Sequence, residues 1–600
     1  MNFAIKTNQL TYKLNKQMLS NEYDIFCIRT SDKYFKGGAY MIDAPLLNNA
    51  VCSVLFKSGK EIFVLMKHSN ANMTSLKNAI SKAKGADRIT VSQRSVDSLQ
   101  EDITLQLMFN SLGNYENPLL KFNNLTGHLY CFHPNWLVRG RKGDADVIFK
   151  VPCLEFKLSP KFRLNMEIHT FTSELLRNKI EFKKKQFEEY PKYVFSAHNT
   201  LRRKSRNDTE DSFIMRQTKN TKTEIAFLDI QNIDRFNQSK MGILTTFLEN
   251  FNDKFSNIAH IEFESITNYT ALDYTRFAAN ENKQAITNLL SIKPVKIVDC
   301  IQDEYSKIFC NQIRDLIFSK YGIRSSIAKR VSKNHLNIRV IHHAAYYENR
   351  EDPHQVFSDA AVQHITFEDF SESSKFAIST VIHELLIKDD LKNQIITLFD
   401  WKAMQFDSDI DFGIKVKDAQ TSKYIFMTIH PDGTFHISEQ TLNLFEIDKY
   451  TQCVQIFENA KINSEIIRGI IRDSSGNINV IKDTGWFTIP ETNNIKQELS
   501  KGNTKLRGKE KRDELLSSCL DIKIFKDNHS EYYFVGTIGN GMRCLINRAA
   551  NIRKIEPFED SELIFEKLLP LMNVTFVHNG QLTVVPFPFK YLREYVKSLL

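Results

Sequence analysis

Apolar residues in this chain come in short runs broken by turn residues, and no run approaches the roughly 20 consecutive apolar residues of a membrane-spanning helix. Runs such as Tyr23 to Arg29, Val51 to Phe56, Glu61 to Met66 and His128 to Phe132 read as strands, and they set an architecture of packed sheets and helices. At 600 residues the chain exceeds what one hydrophobic core organises, so roughly three to five structural units are expected. Hydrophobic residues make up 42% and charged residues 25%, with 21 Gly and 14 Pro, which excludes a disordered or fibrous chain. The first twenty residues hold no apolar stretch of signal-peptide length, and the nine cysteines are odd in number, scattered and without a CxxC pair. Reduced thiols in a cytoplasmic protein, away from any membrane, are the expectation.

Four regions follow from the pattern. Residues 1–150 read as a β-rich domain with one helix near Met73 to Lys84. Residues 151–225 form a linker and strand region, in which Arg163 to Thr170 alternates apolar Leu164, Met166 and Ile168 with polar Asn165, Glu167 and His169. Residues 226–372 read as an α/β unit: a helix over Lys240 to Phe255, a strand at His260 to Phe263, a buried strand over Lys293 to Cys300, a helix over Asp303 to Lys320, then strands at Asn337 to Ile341 and Ala361 to Phe367. That strand–helix–strand spacing is Rossmann-like. Residues 373–600 begin with a helix at Ser374 to Leu386, then a hairpin in which Tyr424 to Ile429 and Thr434 to Ile437 flank the turn His430-Pro431-Asp432-Gly433. The fold class expected is multidomain α/β.

The net charge is only +9, but its distribution is uneven: Arg177 to Arg206 holds ten Lys/Arg against three Glu. Lys183, Lys184, Lys185, Arg202, Arg203, Lys204 and Arg206 bracket Phe187, Tyr190, Tyr193 and Phe195, a composition suited either to a solvated face or to tracking a nucleic-acid backbone with aromatics to stack on bases. In the α/β unit, Tyr305 and Lys307 open the helix, while Ser325, Ser326, Lys329, Arg330 and Lys333 follow its end. Cations and free amide donors near a helix terminus are what a terminal phosphate needs, although no Gly-rich P-loop marks the place. Asp146, Glu155 and Lys157 match a D…ExK nuclease pattern that could hold Mg²⁺, but in a chain this rich in Glu and Lys chance occurrence is the favoured reading. His383-Glu384 fails as a zinc motif because residue 387 is Ile, and His342, His343 and His354 lack ligand spacing.

The order of these regions, with the closing segment Gly580-Gln581-Leu582-Thr583-Val584-Val585-Pro586-Phe587-Pro588-Phe589-Lys590-Tyr591-Leu592, resembles the prokaryotic Argonaute family, whose members end on a T…P.P..YA pattern before a last helix. Tyr305 to Lys329 is similar, more loosely, to the family's MID phosphate motif. The resemblance implies a Rossmann-like MID unit, an RNase-H-like PIWI unit and a reduced or absent PAZ unit. It implies that Tyr305, Lys307, Ser325, Ser326, Lys329, Lys333 and the Leu600 carboxylate surround the 5′ end of a short guide oligonucleotide, with Mg²⁺ as an admissible cofactor at that phosphate. Ser325 or Ser326 stands where the family has Gln, and the Tyr-to-Lys spacing is shorter than in the family. The first hairpin strand, Tyr424 to Ile429, carries no carboxylate, and Asp473 lies before a Ser-Ser-Gly turn, so two-metal cleavage is not expected. The chain is then similar to an inactive Argonaute that pairs its guide with a complementary target and recruits an effector, such as a helicase-nuclease, in plasmid or phage defence. A Mg²⁺-dependent nuclease and a protein-interaction subunit of a defence complex are the alternatives.

Overall fold

The computed structural model describes residues 5–35, 43, 51–81, 88–114, 120–180, 190–195, 200–218, 225–266, 270–271, 279–348, 350, 359–368, 375–398, 400–417, 422–441, 448–463, 465–501, 525–526, 531–535, 551–572 and 586–599. It is a mixed α/β protein with several sheets, divided into two compact units: Met1–Thr267 with Trp486–Asp521 and Met542–Ala549, and Asn268–Gly485 with Ile522–Gly541 and Ala550–Leu600. Among the described residues no helix is long and apolar enough to cross a membrane.

In the first unit, β1 (Ile5–Leu14) is followed by β2 (Tyr23–Thr30), β3 (Val51–Ser58), β4 (Glu61–Lys67) and β5 (Ile89–Arg94); the last four form an antiparallel sheet in the order β3-β4-β2-β5. Period-two alternation sends Phe26, Ile28, Val64 and Met66 to one face, under Leu76 and Ile80 of the helix Met73–Ser81. Ile25, Cys27, Phe63 and Leu65 enter a larger core on the other face. That core holds a helix the sequence pattern hides, Glu101–Asn110, buried from Asp102 to Asn110. A helix enclosed on all sides shows no apolar stripe. Its polar side chains are satisfied internally: Gln106 donates to Phe156 O and Asn110 to Val54 O.

A second sheet contains β6 (Lys121–Leu125), β7 (His128–Phe132), β8 (Val138–Lys142), β9 (Ala145–Leu158), β10 (Leu164–Ser173), β11 (Tyr193–Phe195), β12 (Leu201–Arg203) and β13 (Phe213–Met215), in the order β12-β11-β13-β10-β9-β7-β6 with β8 paired to β9. β9 is buried on both faces in its second half: Leu154, Phe156 and Leu158 join the large core, where Phe156 stacks on Phe247 at 4.4 Å, while Val151 and Cys153 join a second core with Phe132, Phe171 and Tyr193. Phe247 belongs to the helix Lys240–Lys254, capped by Ser239, which leads into β14 (Ala259–Ile266), the antiparallel partner of β1.

The second unit contains β15 (Thr270–Ala271) and a four-stranded parallel sheet of β16 (Val295–Asp299), β17 (Ser326–Ala328), β18 (Leu336–Ile341) and β19 (Val362–Thr366), in the order β17-β16-β18-β19. The helix Glu304–Tyr321 joins β16 to β17 and ends on Gly322, whose φ of 71° closes the last turn. The helix Lys375–Asn393 packs on β18 and β19, and on the carboxy-terminal helix Pro588–Leu599.

The unit's other sheet contains β20 (Ile410–Lys417), β21 (Ser422–Ile429), β22 (Phe435–Thr441), β23 (Ile466–Asp473), β24 (Ile478–Ile489), β25 (Phe525–Lys526), β26 (Glu531–Val535) and β27 (Asn551–Pro557). Its order is β15-β25-β26-β27-β24-β23-β20-β21-β22. The expected turn is present: Gly433 has φ 87° and Asp432 Oδ1 accepts from Thr434 N at 2.9 Å. The sheet nevertheless has a strand before that hairpin, β20, absent from the sequence reading. Phe587, Phe589, Tyr591 and Leu592 of the closing segment are buried in the core shared by the two sheets, whereas Gly580 to Val585 lie outside the described residues.

Candidate nucleotide-terminus site and its surroundings

Strand order locates the candidate site. β16 leads to β17 on one side, and the chain then passes to β18 and β19 on the other, so the direction of winding reverses at β16. In open parallel sheets that switch leaves a crevice outside the carboxyl ends of the strands, where ligands bind. The residues at this edge are Asp299 at the end of β16 and Cys300 after it, Lys329 and Arg330 after β17, His342 to Tyr347 after β18, and Phe367 and Glu368 after β19.

The helix terminus at this edge is closed by acids. Asp303 Oδ1 accepts from Ser306 N at 2.6 Å, and Ser306 Oγ accepts from Asp303 N at 3.0 Å, a complete capping box. Asp299, buried behind it, accepts from Ile301 N and Gln302 N through Oδ1 and from Ser306 Oγ through Oδ2. The donors a phosphate would use are taken up by carboxylates, whose charge already complements the helix dipole. Nor does this edge suit Mg²⁺, because both Asp299 oxygens and one Asp303 oxygen are engaged as caps. Tyr305 is 74% exposed and Lys307 is exposed.

Beside the cap lies a stack. The His342 and Tyr346 rings sit 3.9 Å apart at 30°, and the Arg350 guanidinium lies 4.1 Å from the Tyr346 centroid. His342 Nδ1 is 2.5 Å from Glu368 Oε1, while His343 N donates to Glu368 Oε2 at 3.1 Å. Burial pushes the Glu368 carboxyl up, but these partners outweigh it and hold it below its ordinary value, so it stays ionised and fixes the imidazole. Phe367 meets His342 edge-on at 6.0 Å and Phe309 at 5.3 Å, giving the stack an apolar floor. The arrangement presents aromatic and guanidinium surface suited to a flat base, with exposed Lys329 and Arg330 at the same edge.

The sequence-predicted residues divide between the two edges of this sheet. Tyr305, Lys307 and Lys329 lie at the carboxyl edge, since Ala328 pairs with Val298. Ser325 and Ser326 enter β17 from the opposite edge, where Ser326 pairs with Lys296. Lys333 is also there, paired with Asp359 ahead of β19. Parallel pairing of β16 and β17 forces this separation, because the connecting helix carries the chain back to the starting edge. Ser325 is buried, and among the described residues its Oγ has no hydrogen-bond partner. Leu600 lies outside the described residues.

Of the basic segment, Lys183, Lys184 and Lys185 lie outside the described residues. Arg202 makes two 2.6 Å bonds to Asp208, Arg203 packs 5.7 Å from the Tyr193 ring, Lys204 donates to Glu210 O and Arg206 is exposed. The D…ExK set is not assembled: Asp146 and Glu155 stand nine residues apart on the continuous strand β9, about 30 Å, and Asp146 is 84% exposed.

The most informative residue missed from the sequence is Asp411 on β20. It is 4% exposed, and its carboxylate faces Arg472 Nη1 at 3.2 Å, Lys449 Nζ at 3.1 Å, Tyr450 Oη at 3.2 Å and Thr428 Oγ1. Burial lowers the Lys449 pKa, but Tyr450 and Asp411 outweigh it and keep the ammonium charged. Asp473, the other candidate acid, is opposite Ile410 on β23 and spends its oxygens on Asn477 N and Nδ2, capping the turn. Asp411 and Asp473 therefore face opposite sides of the sheet. The alternation of Ile410, Phe412, Ile414 and Val416 with Asp411, Gly413, Lys415 and Lys417 was the available signal for β20.

No protein-family model matches the chain, and no curated protein matches it. Among solved structures, the crystal structure of Drosophila Piwi aligns over 100% of this chain and 97% of that chain, at 10% identity and a TM-score of 0.35.

Proposed function

We propose that this protein is a guide-dependent nucleic-acid-binding protein of Argonaute type, without target-cleaving activity of its own. In this reading the parallel sheet is a MID-like unit and the sheet containing β20 to β24 is a PIWI-like unit. The observation that carries the proposal is the carboxyl edge of the parallel sheet, where a winding switch, a His342–Tyr346–Arg350 stack and exposed Lys329 and Arg330 occur together. A terminal base would rest on the stack, and its phosphate would turn toward Lys329 and Arg330, because Asp299 and Asp303 repel it from the helix end. Pairing with the guide then selects the target, while the protein holds the backbone.

The saturated Asp411 supports the absence of cleavage. A two-metal mechanism needs carboxylate oxygens open to divalent ions, and here Arg472 and Lys449 take that place. Signalling would pass to a separate effector. Extraction of nucleic acid from the purified protein, with measurement of length, sugar and 5′ chemistry, tests the reading. A uniform short population, diminished in the Lys329→Glu/Arg330→Glu variant, is expected; recovery of no oligonucleotide overturns it. In parallel, a guide–target duplex incubated with Mg²⁺ or Mn²⁺ should remain uncut.

A further inference from the structure

We propose that Glu155, Glu167 and His169 form a site for one divalent transition-metal ion, best fitted by Zn²⁺, on two adjacent strands of the first unit, with His128 paired to Glu155 beside it. The inference is independent of the guide-binding reading and concerns the other compact unit.

The strand register puts the three ligands and His128 on one face of the sheet. Glu155 on β9 lies directly opposite Tyr130 of β7 on one side and Glu167 of β10 on the other. Residues two positions along an antiparallel neighbour share its face, which puts His128 and His169 on the Glu155 diagonals. The same face is apolar further along, where Val151, Cys153 and Phe171 are buried, and there the second core begins. A carboxylate at the margin of that core needs a compensating cation.

The distances suit a shared ion. His128 Nδ1 is 2.7 Å from Glu155 Oε1, His169 Nε2 is 2.8 Å from Glu155 Oε2 and 3.8 Å from Glu167 Oε2. One donor atom each from Glu155, Glu167 and His169 falls within 4.8 Å of the others. Ligands at about 2.0–2.2 Å around a tetrahedral Zn²⁺ stand roughly 3.3–3.5 Å apart, so the three donor atoms reach one ion with shifts of about an ångström and leave the fourth position to a water. One imidazole and two carboxylates are a donor set of intermediate softness and, with a neutral ring, carry two negative charges.

An ordinary imidazole–carboxylate pair does not account for His169. Among the described residues its buried Nε2 makes no well-aligned hydrogen bond, although Glu155 Oε2 is 2.8 Å away, so the ring's in-plane direction is left for another partner. Glu155 is 6% exposed, so its carboxylate lies inside the sheet face rather than in solvent. Glu167 is 59% exposed, which leaves the site open for an ion to enter.

The test uses the full chain, stripped with EDTA and titrated first with Co²⁺ as a spectroscopic probe and then with Zn²⁺. One equivalent of Co²⁺ should bind with the strong visible absorption of four-coordinate cobalt, Zn²⁺ should displace it, and Zn²⁺ should raise the Tm. Glu167→Gln alters an exposed side chain and should leave the circular dichroism spectrum unchanged while weakening Co²⁺ binding at least about tenfold. His169→Ala should abolish binding. No stoichiometric binding at micromolar metal overturns the proposal, as does an unchanged affinity in Glu167→Gln, whatever His169→Ala does.

Discussion

Two buried aspartates of the second unit differ in how their charge is met. Asp411 has two cations within 3.2 Å, so removing one leaves a buried carboxylate undercompensated. Arg472→Ala should therefore destabilise the protein by roughly 3 kcal/mol, read as a lower urea midpoint. Asp390 has no cation at its carboxylate among the hydrogen bonds it makes; it accepts from Thr397 N at 2.9 Å, from Thr397 Oγ1 and from Tyr591 Oη at 2.6 Å. Burial, the dominant influence, pushes its pKa up to about 6. A raised folded-state value means that its contribution to stability is present below the unfolded value near 4 and is lost as pH rises through about 6. Asp390→Asn removes that loss, so its stability relative to the parent chain should improve by roughly 3 kcal/mol between pH 4 and pH 7. Parallel pH profiles for the two proteins would refute this. Tyr591 belongs to the closing segment that carries the family resemblance, yet it is buried beside Asp390. Its place in the core was legible as an apolar pattern, whereas its hydrogen bond across 201 positions of sequence was not.

At the scale of elements, alternation and helical period located the parallel sheet and its helix well. The helix read over Asp303 to Lys320 occupies Glu304–Tyr321, and the strand read over Asn337 to Ile341 occupies Leu336–Ile341. Two elements were lost for opposite reasons. Glu101–Asn110 is enclosed on every side and shows no stripe, while β20 interleaves Asp, Gly and Lys with its apolar residues and resembles a loop by composition. Sequence proximity of Ser325 to Lys329 conceals that the two meet different edges of the parallel sheet; β17 is only three residues long, yet it runs from one edge toward the other. β20 also contains a tight approach. A Cβ at Gly413 would lie 2.4 Å from Phe426 Cε1, and Phe426 stacks on Tyr450 at 4.0 Å and 13°. Because Tyr450 also bonds Asp411, Gly413→Ala should displace the ring and loosen the acid cluster together. A loss of about 1–3 kcal/mol is expected, with a shift in the near-ultraviolet circular dichroism of the tyrosine. Unchanged stability would show that β20 and β21 move apart freely.

On the scale of the whole molecule, the formal charge of +9 is too small to hold a nucleic acid by general attraction, so any binding must come from local groups. The described cations divide into engaged and open ones: Arg202 is neutralised by Asp208, whereas Lys329 and Arg330 are exposed at the edge where the proposed terminus would sit. That distinction is measurable through salt. For single strands, the slope of log affinity against log salt is about −0.7 per phosphate neutralised. A strand followed across about four or more phosphates should give a slope near −3 or steeper between 50 and 200 mM salt. A slope shallower than about −1 would mean that the backbone is not tracked. Lys329→Ala/Arg330→Ala should reduce the slope by about 1.4, two phosphates' worth, if both cations meet the strand. Arg202→Ala should leave the slope nearly unchanged, because its charge is already compensated within the fold. Equal effects from the two variants would move the binding surface away from the parallel sheet's carboxyl edge and toward the basic segment.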